Sequence, residues 1–139
     1  MTPLSNAARQ VIEGGHLGHL VTLNSDGSPQ VSLVWVGLED GEIVAGHLGS
    51  WRKVQNVRRD PRVALSVETG QRASGGLDEY LVVYGTARIT EGGAPQLLQR
   101  LARTYLGPNV RFPPIDDPPP GYITRIAVDR VTGHGDWEP

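Results

Sequence analysis

Two close-set turns restrict this chain more than any other feature. Asn24-Ser25-Asp26-Gly27-Ser28-Pro29 consists wholly of turn-forming residues, and Glu39-Asp40-Gly41 repeats the signal soon after. Both separate short apolar runs, read as strands over Gly18 to Leu23, Gln30 to Gly37 and Glu42 to His47. Consecutive hairpins make an antiparallel meander. In the middle strand Val31, Leu33 and Trp35 alternate with Ser32, Val34 and Val36, so only one face is partly polar. Such a strand is buried on both faces or covers a ligand on one.

The remaining segments extend this pattern. Ser5 to Glu13 carries Ala7, Ala8, Val11 and Ile12 at helical spacing, and Gly14-Gly15 stops it. Val63 to Glu68 reads as a fourth strand and Asp78 to Thr90 as a fifth, separated by a polar, glycine-rich loop over Thr69 to Leu77. Gly85 in mid-strand signals a bend, a bulge or a close neighbour. Leu97, Leu98, Leu101 and Tyr105 give a helix over Ala94 to Tyr105. The proline-rich stretch from Gly107 to Gly121 reads as an extended surface loop. Tyr122 to Val131 is a sixth strand, and Gly133 to Pro139 a tail carrying His134 and Trp137. Six strands with few, short helices predict a mainly β fold, a closed or nearly closed antiparallel barrel. The 139 residues suit one domain spanning 1–139.

Between the third and fourth strands lies the run Ser50-Trp51-Arg52-Lys53-Val54-Gln55-Asn56-Val57-Arg58-Arg59-Asp60-Pro61. It reads as a short helix capped by Ser50 and stopped by Pro61. Arg52 and Lys53 occupy its first turn, where the helix dipole is already positive. Two cations there cost stability unless an anion joins them. Free amides, dipole and cations together form a phosphate-sized site. The net charge is −2, so the basic character of Arg52, Lys53, Arg58, Arg59 and Arg62 is local and suits a small anion.

The absence of cysteine excludes disulfides, thiolate metal sites and cysteine nucleophiles, and fits a reducing cytoplasm. Met1 to Gln10 lacks an apolar core and no apolar run suits a membrane span, so a cytoplasmic location is expected. His16 and His19 have no carboxylate at metal spacing and read as structural or solvent-facing. His47 ends the third strand just before the basic helix, within range of the same ligand. Asp26 and Asp40 are turn residues, and nothing pairs Glu68 or Glu79. The sequence contains no self-sufficient catalytic constellation and no metal site. An enzyme of this kind relies on a cofactor for its reactive atom.

The stretch Val21 to Val36, followed by Arg52-Lys53-Val54-Gln55-Asn56-Val57-Arg58-Arg59-Asp60-Pro61-Arg62-Val63-Ala64-Leu65, resembles the pyridoxamine 5'-phosphate oxidase-like, flavin-binding split-barrel superfamily. Within it the chain looks most like the small deazaflavin (coenzyme F-420)-dependent reductases. Ile126-Ala127-Val128-Asp129-Arg130-Val131-Thr132-Gly133 resembles the family's last strand. The resemblance implies a homodimer of six-stranded split barrels with cofactor sites in the dimer clefts. Carried over by position, Arg52 and Lys53 hold the cofactor phosphate, with Asn56 nearby. Gln30, Ser32 and Val34 line the ring system, and His47 and Leu48 approach the ribityl chain. Tyr80 closes the site from the partner subunit.

The implied activity is hydride transfer from reduced coenzyme F-420 to a small conjugated organic acceptor. The alternatives are an FMN-dependent oxidase or reductase on the same fold, and a non-catalytic flavin, deazaflavin or tetrapyrrole binder. Single-stranded nucleic acid is a further candidate partner, disfavoured by the acidic balance and few aromatics. Two departures from the family's pattern stand out: Trp51 where a small or polar residue is expected, and the long loop over 107–121.

Overall fold

A computed structural model describes residues 2–138; Met1 and Pro139, at the ends of the first segment and the tail read above, lie outside them. The elements run α1 (Asn6–Ile12), β1 (Gly18–Leu23), β2 (Pro29–Val34), β3 (Gly37–Glu39) and β4 (Glu42–His47). Then come α2 (Arg52–Arg59), β5 (Arg62–Arg72), β6 (Asp78–Glu91), α3 (Ala94–Tyr105) and β7 (Tyr122–His134). All seven strands form one antiparallel sheet of order β2-β1-β5-β6-β7-β4-β3.

The expected strand over Gln30 to Gly37 is divided, which raises the count from six to seven. β2 pairs with β1 at one edge of the sheet, whereas β3 pairs with β4 at the other. Only Trp35 and Val36 join these edges, so the sheet must curl until they meet. Tyr105 holds the crossing: its hydroxyl accepts the Val36 N–H at 3.0 Å and donates to the His16 carbonyl at 2.7 Å. A break of this kind satisfies two pairing partners with one stretch of chain. Local alternation of residue types carries no sign of it.

The curled sheet encloses the main core. Leu20, Ile43, Leu65, Val67, Leu81 and Val83 are all at most 1% exposed. Ser5 caps α1 by accepting the Ala8 N–H, and the helix inserts Ala8, Val11 and Ile12 into this core. A second, smaller cluster lies on the opposite side of β4, where Val44 meets Leu97 and Leu101 of α3. Ile43, Val44 and Ala45 are therefore all buried, because α3 covers the outward face of β4. Gly85 sits at the register shift between β6 and β7, with a Cβ there only 2.5 Å from the Ala127 carbonyl. The bulge and close approach expected at that glycine are both present.

β5 and β7 are longer than expected, running to Arg72 and His134. The tail is docked: Trp137 is buried, and its indole N–H donates to the Tyr80 carbonyl at 2.9 Å. The segment 107–121 contains no helix or strand, as its prolines require.

Candidate functional site

Helix α2 begins one residue later than its sequence suggested. Trp51, not Ser50, is the N-cap, and no side chain caps the first-turn amides. Ser50 instead uses its carbonyl to accept from Gln55 Nε2 at 3.1 Å. The first turn holds no acid. Val54 and Val57 anchor the helix to the barrel.

Tertiary partners divide the five clustered cations into two groups. Arg58 pairs with Glu91 at 3.2 Å and stacks over Tyr122. Arg59 donates to the Leu23 carbonyl and to Asn56 Oδ1, and Arg62 pairs with Asp60 at 2.7 Å. Arg52 and Lys53 have no ion-pair partner among the described residues. Arg52 is exposed, while Lys53 is half-buried, and that burial lowers its pKa. The two remaining cations thus stand at an uncapped, positive helix end.

Lys53 borders a hollow of about 210 Å³. Val34, His47, Trp35, Trp51 and Phe112 line it too. His47 is 2% exposed, and its Nε2 shares a 2.8 Å hydrogen bond with Thr124 Oγ1. Burial, and then the Lys53 charge, push the imidazole pKa down to about 4. It is therefore neutral at pH 7. The unfolded chain takes up a proton near pH 6.5 that the folded chain refuses, so stability falls as pH drops from 6.5 towards 4. The expected loss is about 3 kcal/mol by pH 4, and His47→Gln removes that part of the slope. Denaturant titrations of both proteins at pH 7, 5.5 and 4 check this; parallel losses refute it.

Gln30, Ser32 and Val34 share the face of β2 whose cross-strand neighbours Leu20 and Thr22 are buried. Thr22 donates to Gln30 Oε1 at 3.1 Å and accepts from Asn56 Nδ2 at 3.0 Å. Asn56 also donates to Asn24 Oδ1 at 3.0 Å and is only 2% exposed. Its amide ties α2 to the β1–β2 turn, so in this chain it positions the helix. Ser32 differs: its Oγ is buried and lacks any hydrogen-bond partner. An orphaned hydroxyl costs free energy unless a ligand satisfies it. Ser32 faces the core with Val34 and does not line the hollow; what fits a phosphate-bearing group is the pair of free cations at the start of α2, with Lys53 bordering that hollow.

Leu48 is partly buried beyond the end of β4 and does not line the hollow. Tyr80 is not brought to Lys53 within one chain; it borders a separate depression with Glu68, Asp78 and Glu79. Sequence reasoning missed Thr124, which reaches His47 only through the β4–β7 pairing, and the wall formed by Trp35 and Phe112. Their signal was the aromatic content of two otherwise unrelated segments. His19 Nδ1 faces the Ser66 carbonyl at 3.4 Å and His16 supplies a carbonyl to Tyr105, both structural tasks.

The same architecture occurs in solved structures. An F420 reductase superposes with a TM-score of 0.72 at 25% identity, over 89% of this chain and 94% of that one. A conserved hypothetical protein from Mycobacterium tuberculosis gives 0.70 at 25% identity, over 94% and 84% of the respective chains. A heme binding protein from Mycobacterium smegmatis shares the fold at 21% identity with a TM-score of 0.65, covering 91% of this chain and 52% of that one. The pyridoxamine 5'-phosphate oxidase family matches residues 4–135, which takes in every strand and helix of the barrel, and the chain belongs to that family.

Proposed function

We propose that this chain is an oxidoreductase dependent on coenzyme F-420, acting on a small conjugated organic acceptor. One observation carries the reading: at the uncapped start of α2, where Arg52 and Lys53 have no ion-pair partner among the described residues, Lys53 borders a hollow walled by aromatic side chains. When bound in its reduced form, the deazaflavin supplies a hydride, and a solvent proton completes reduction of the acceptor's double bond. The protein's tasks are binding and orientation. Arg52, Lys53 and the first-turn amides hold the phosphate. Val34, at the edge of the core, forms an apolar part of the hollow's wall. Holding two reactants at contact distance supplies much of the rate. The similarity to an F420 reductase over most of both chains supports the choice of cofactor.

The reading includes a homodimer of single-domain barrels. On the sheet face opposite the core, Val31 and Leu33 are 62% and 57% exposed, and Tyr80 and Tyr84 lie on the same side. Apolar area of that kind suits a second copy, which then carries Tyr80 to the partner's cleft. No helix among the described residues is long and apolar enough to cross a membrane. The reading also includes a cytoplasmic location, supported by a cysteine-free sequence that suits a reducing compartment.

Titrating cofactor-free protein with coenzyme F-420 and with FMN, followed by fluorescence, tests the proposal. Tight deazaflavin and weak FMN binding are expected. The reverse order makes this an FMN enzyme, and binding of neither removes the phosphate site from α2.

A further inference from the structure

Tyr80 is anchored by the tail of its own chain. Its carbonyl accepts the Trp137 indole N–H at 2.9 Å, and Trp137 is 7% exposed, packed into the main core. Two glycines permit this approach. Gly133, at φ +120°, crosses so near that a Cβ would stand 2.3 Å from the same Tyr80 oxygen. At Gly135 a Cβ would come within 2.4 Å of the indole and 3.0 Å of Glu79 Cγ. On the other side of β6 the support is weaker. Tyr80 pairs with Glu68, but beyond that pair the register with β5 slips before resuming at Arg72 and Asp78. The start of β6 is thus held chiefly by β7 and the tail.

Leu81, the next residue, is fully buried, so strand alternation turns the Tyr80 ring to the outer face, where it is 44% exposed. That face also carries Leu33, which borders the hollow beside Lys53. A second copy laid on this face therefore reaches the mouth of the hollow. We propose that Trp137 is a positioning residue: by anchoring Tyr80 in its own chain, it completes the cofactor cleft of the partner copy. The proposal rests on the homodimeric reading, in which Tyr80 closes the partner's cleft. It adds the tail as the element that makes each cleft depend on the fold of the other chain.

Coenzyme F-420 titrations, followed by fluorescence, test it. Trp137→Phe keeps an aromatic ring in the core and removes the indole donor. It is expected to weaken binding about fivefold, the effect of losing one neutral hydrogen bond. Tyr80→Ala is expected to weaken binding at least as much, and Trp137→Phe added to it to change nothing further. Melting curves establish that each variant folds. Wild-type affinity in Trp137→Phe overturns the proposal. So does a full additional loss in the double variant, because the indole then acts independently of Tyr80. A mixed dimer identifies the chain on which Trp137 acts. One copy carries Arg52→Ala with Lys53→Ala, the other Trp137→Phe, and two different tags isolate the pair. One cleft then combines intact cations with an intact Tyr80 anchor, so one site of wild-type affinity per mixed dimer is expected. A mixed dimer with no site tighter than that of the Trp137→Phe homodimer confines the effect to one chain and overturns the proposal. A wild type that sediments as a monomer does so too. If FMN binds and coenzyme F-420 does not, the choice of cofactor fails, and the same comparisons made with FMN decide the role of Trp137.

Discussion

Replacing Arg52 and Lys53 together by alanine is expected to weaken cofactor binding by about a hundredfold or more, without loss of the fold. A hydrogen bond to a charged group contributes about 1.5–3 kcal/mol, so losing two corresponds to at least about 3 kcal/mol. The fold survives because neither side chain is engaged by another. Arg52 is exposed, and Lys53 lacks an ion pair among the described residues. Removing two cations from a positive helix end relieves repulsion, so thermal stability holds or rises slightly. The matched control is Arg58→Ala with Arg62→Ala, since those charges are already committed to Glu91 and Asp60. Fluorescence titrations of the three proteins decide the matter. Equal affinity in the Arg52–Lys53 variant and the wild type would show that the anion binds elsewhere.

That contrast also explains what sequence alone could reveal. Arg52 and Lys53 stood out because their charge opposes the local helix dipole, a property of nearest neighbours. Arg58 and Arg59 looked equivalent to them, because Glu91 and the Leu23 carbonyl are distant in the chain, whereas Arg62 pairs with Asp60 only two residues away. Asn56 reads as a ligand contact from its position in the motif, yet its amide is spent on Thr22 and Asn24. The strands and turns were legible for the same local reason: alternation and Gly27 or Asp40-Gly41 need no tertiary context. Both Gly27 and Asp40 have positive φ, as their turns require. The division at Trp35–Val36 was not legible. It arises because one stretch must pair with β1 and with β4, and those strands meet only after closure. The docking of Trp137 on Tyr80 is hidden in the same way.

Closure also concentrates a large effect at Gly121, where β7 begins beside the end of β4. His47 pairs with Tyr122, so Gly121 must pass directly over the His47 backbone. Its φ is +64°, and a Cβ there would stand 2.3 Å from the His47 carbonyl oxygen and 2.7 Å from Ala94 Cβ. Gly121→Ala is therefore expected to cost about 4 kcal/mol: about 1–2 from left-handed backbone and about 1–3 from the clash. In a chain of this size that lowers Tm by about 10–15 °C. Gly27→Ala is the control, with φ +84° and nothing within 4 Å, so it suffers the backbone strain alone. Calorimetry of both variants separates the two contributions, and equal Tm shifts would exclude the clash. The carbonyl that must give way belongs to His47, whose side chain lines the hollow beside Lys53. Relief of the clash therefore moves a wall of the cofactor site, and Gly121→Ala loses affinity even below its melting range, whereas Gly27→Ala does not.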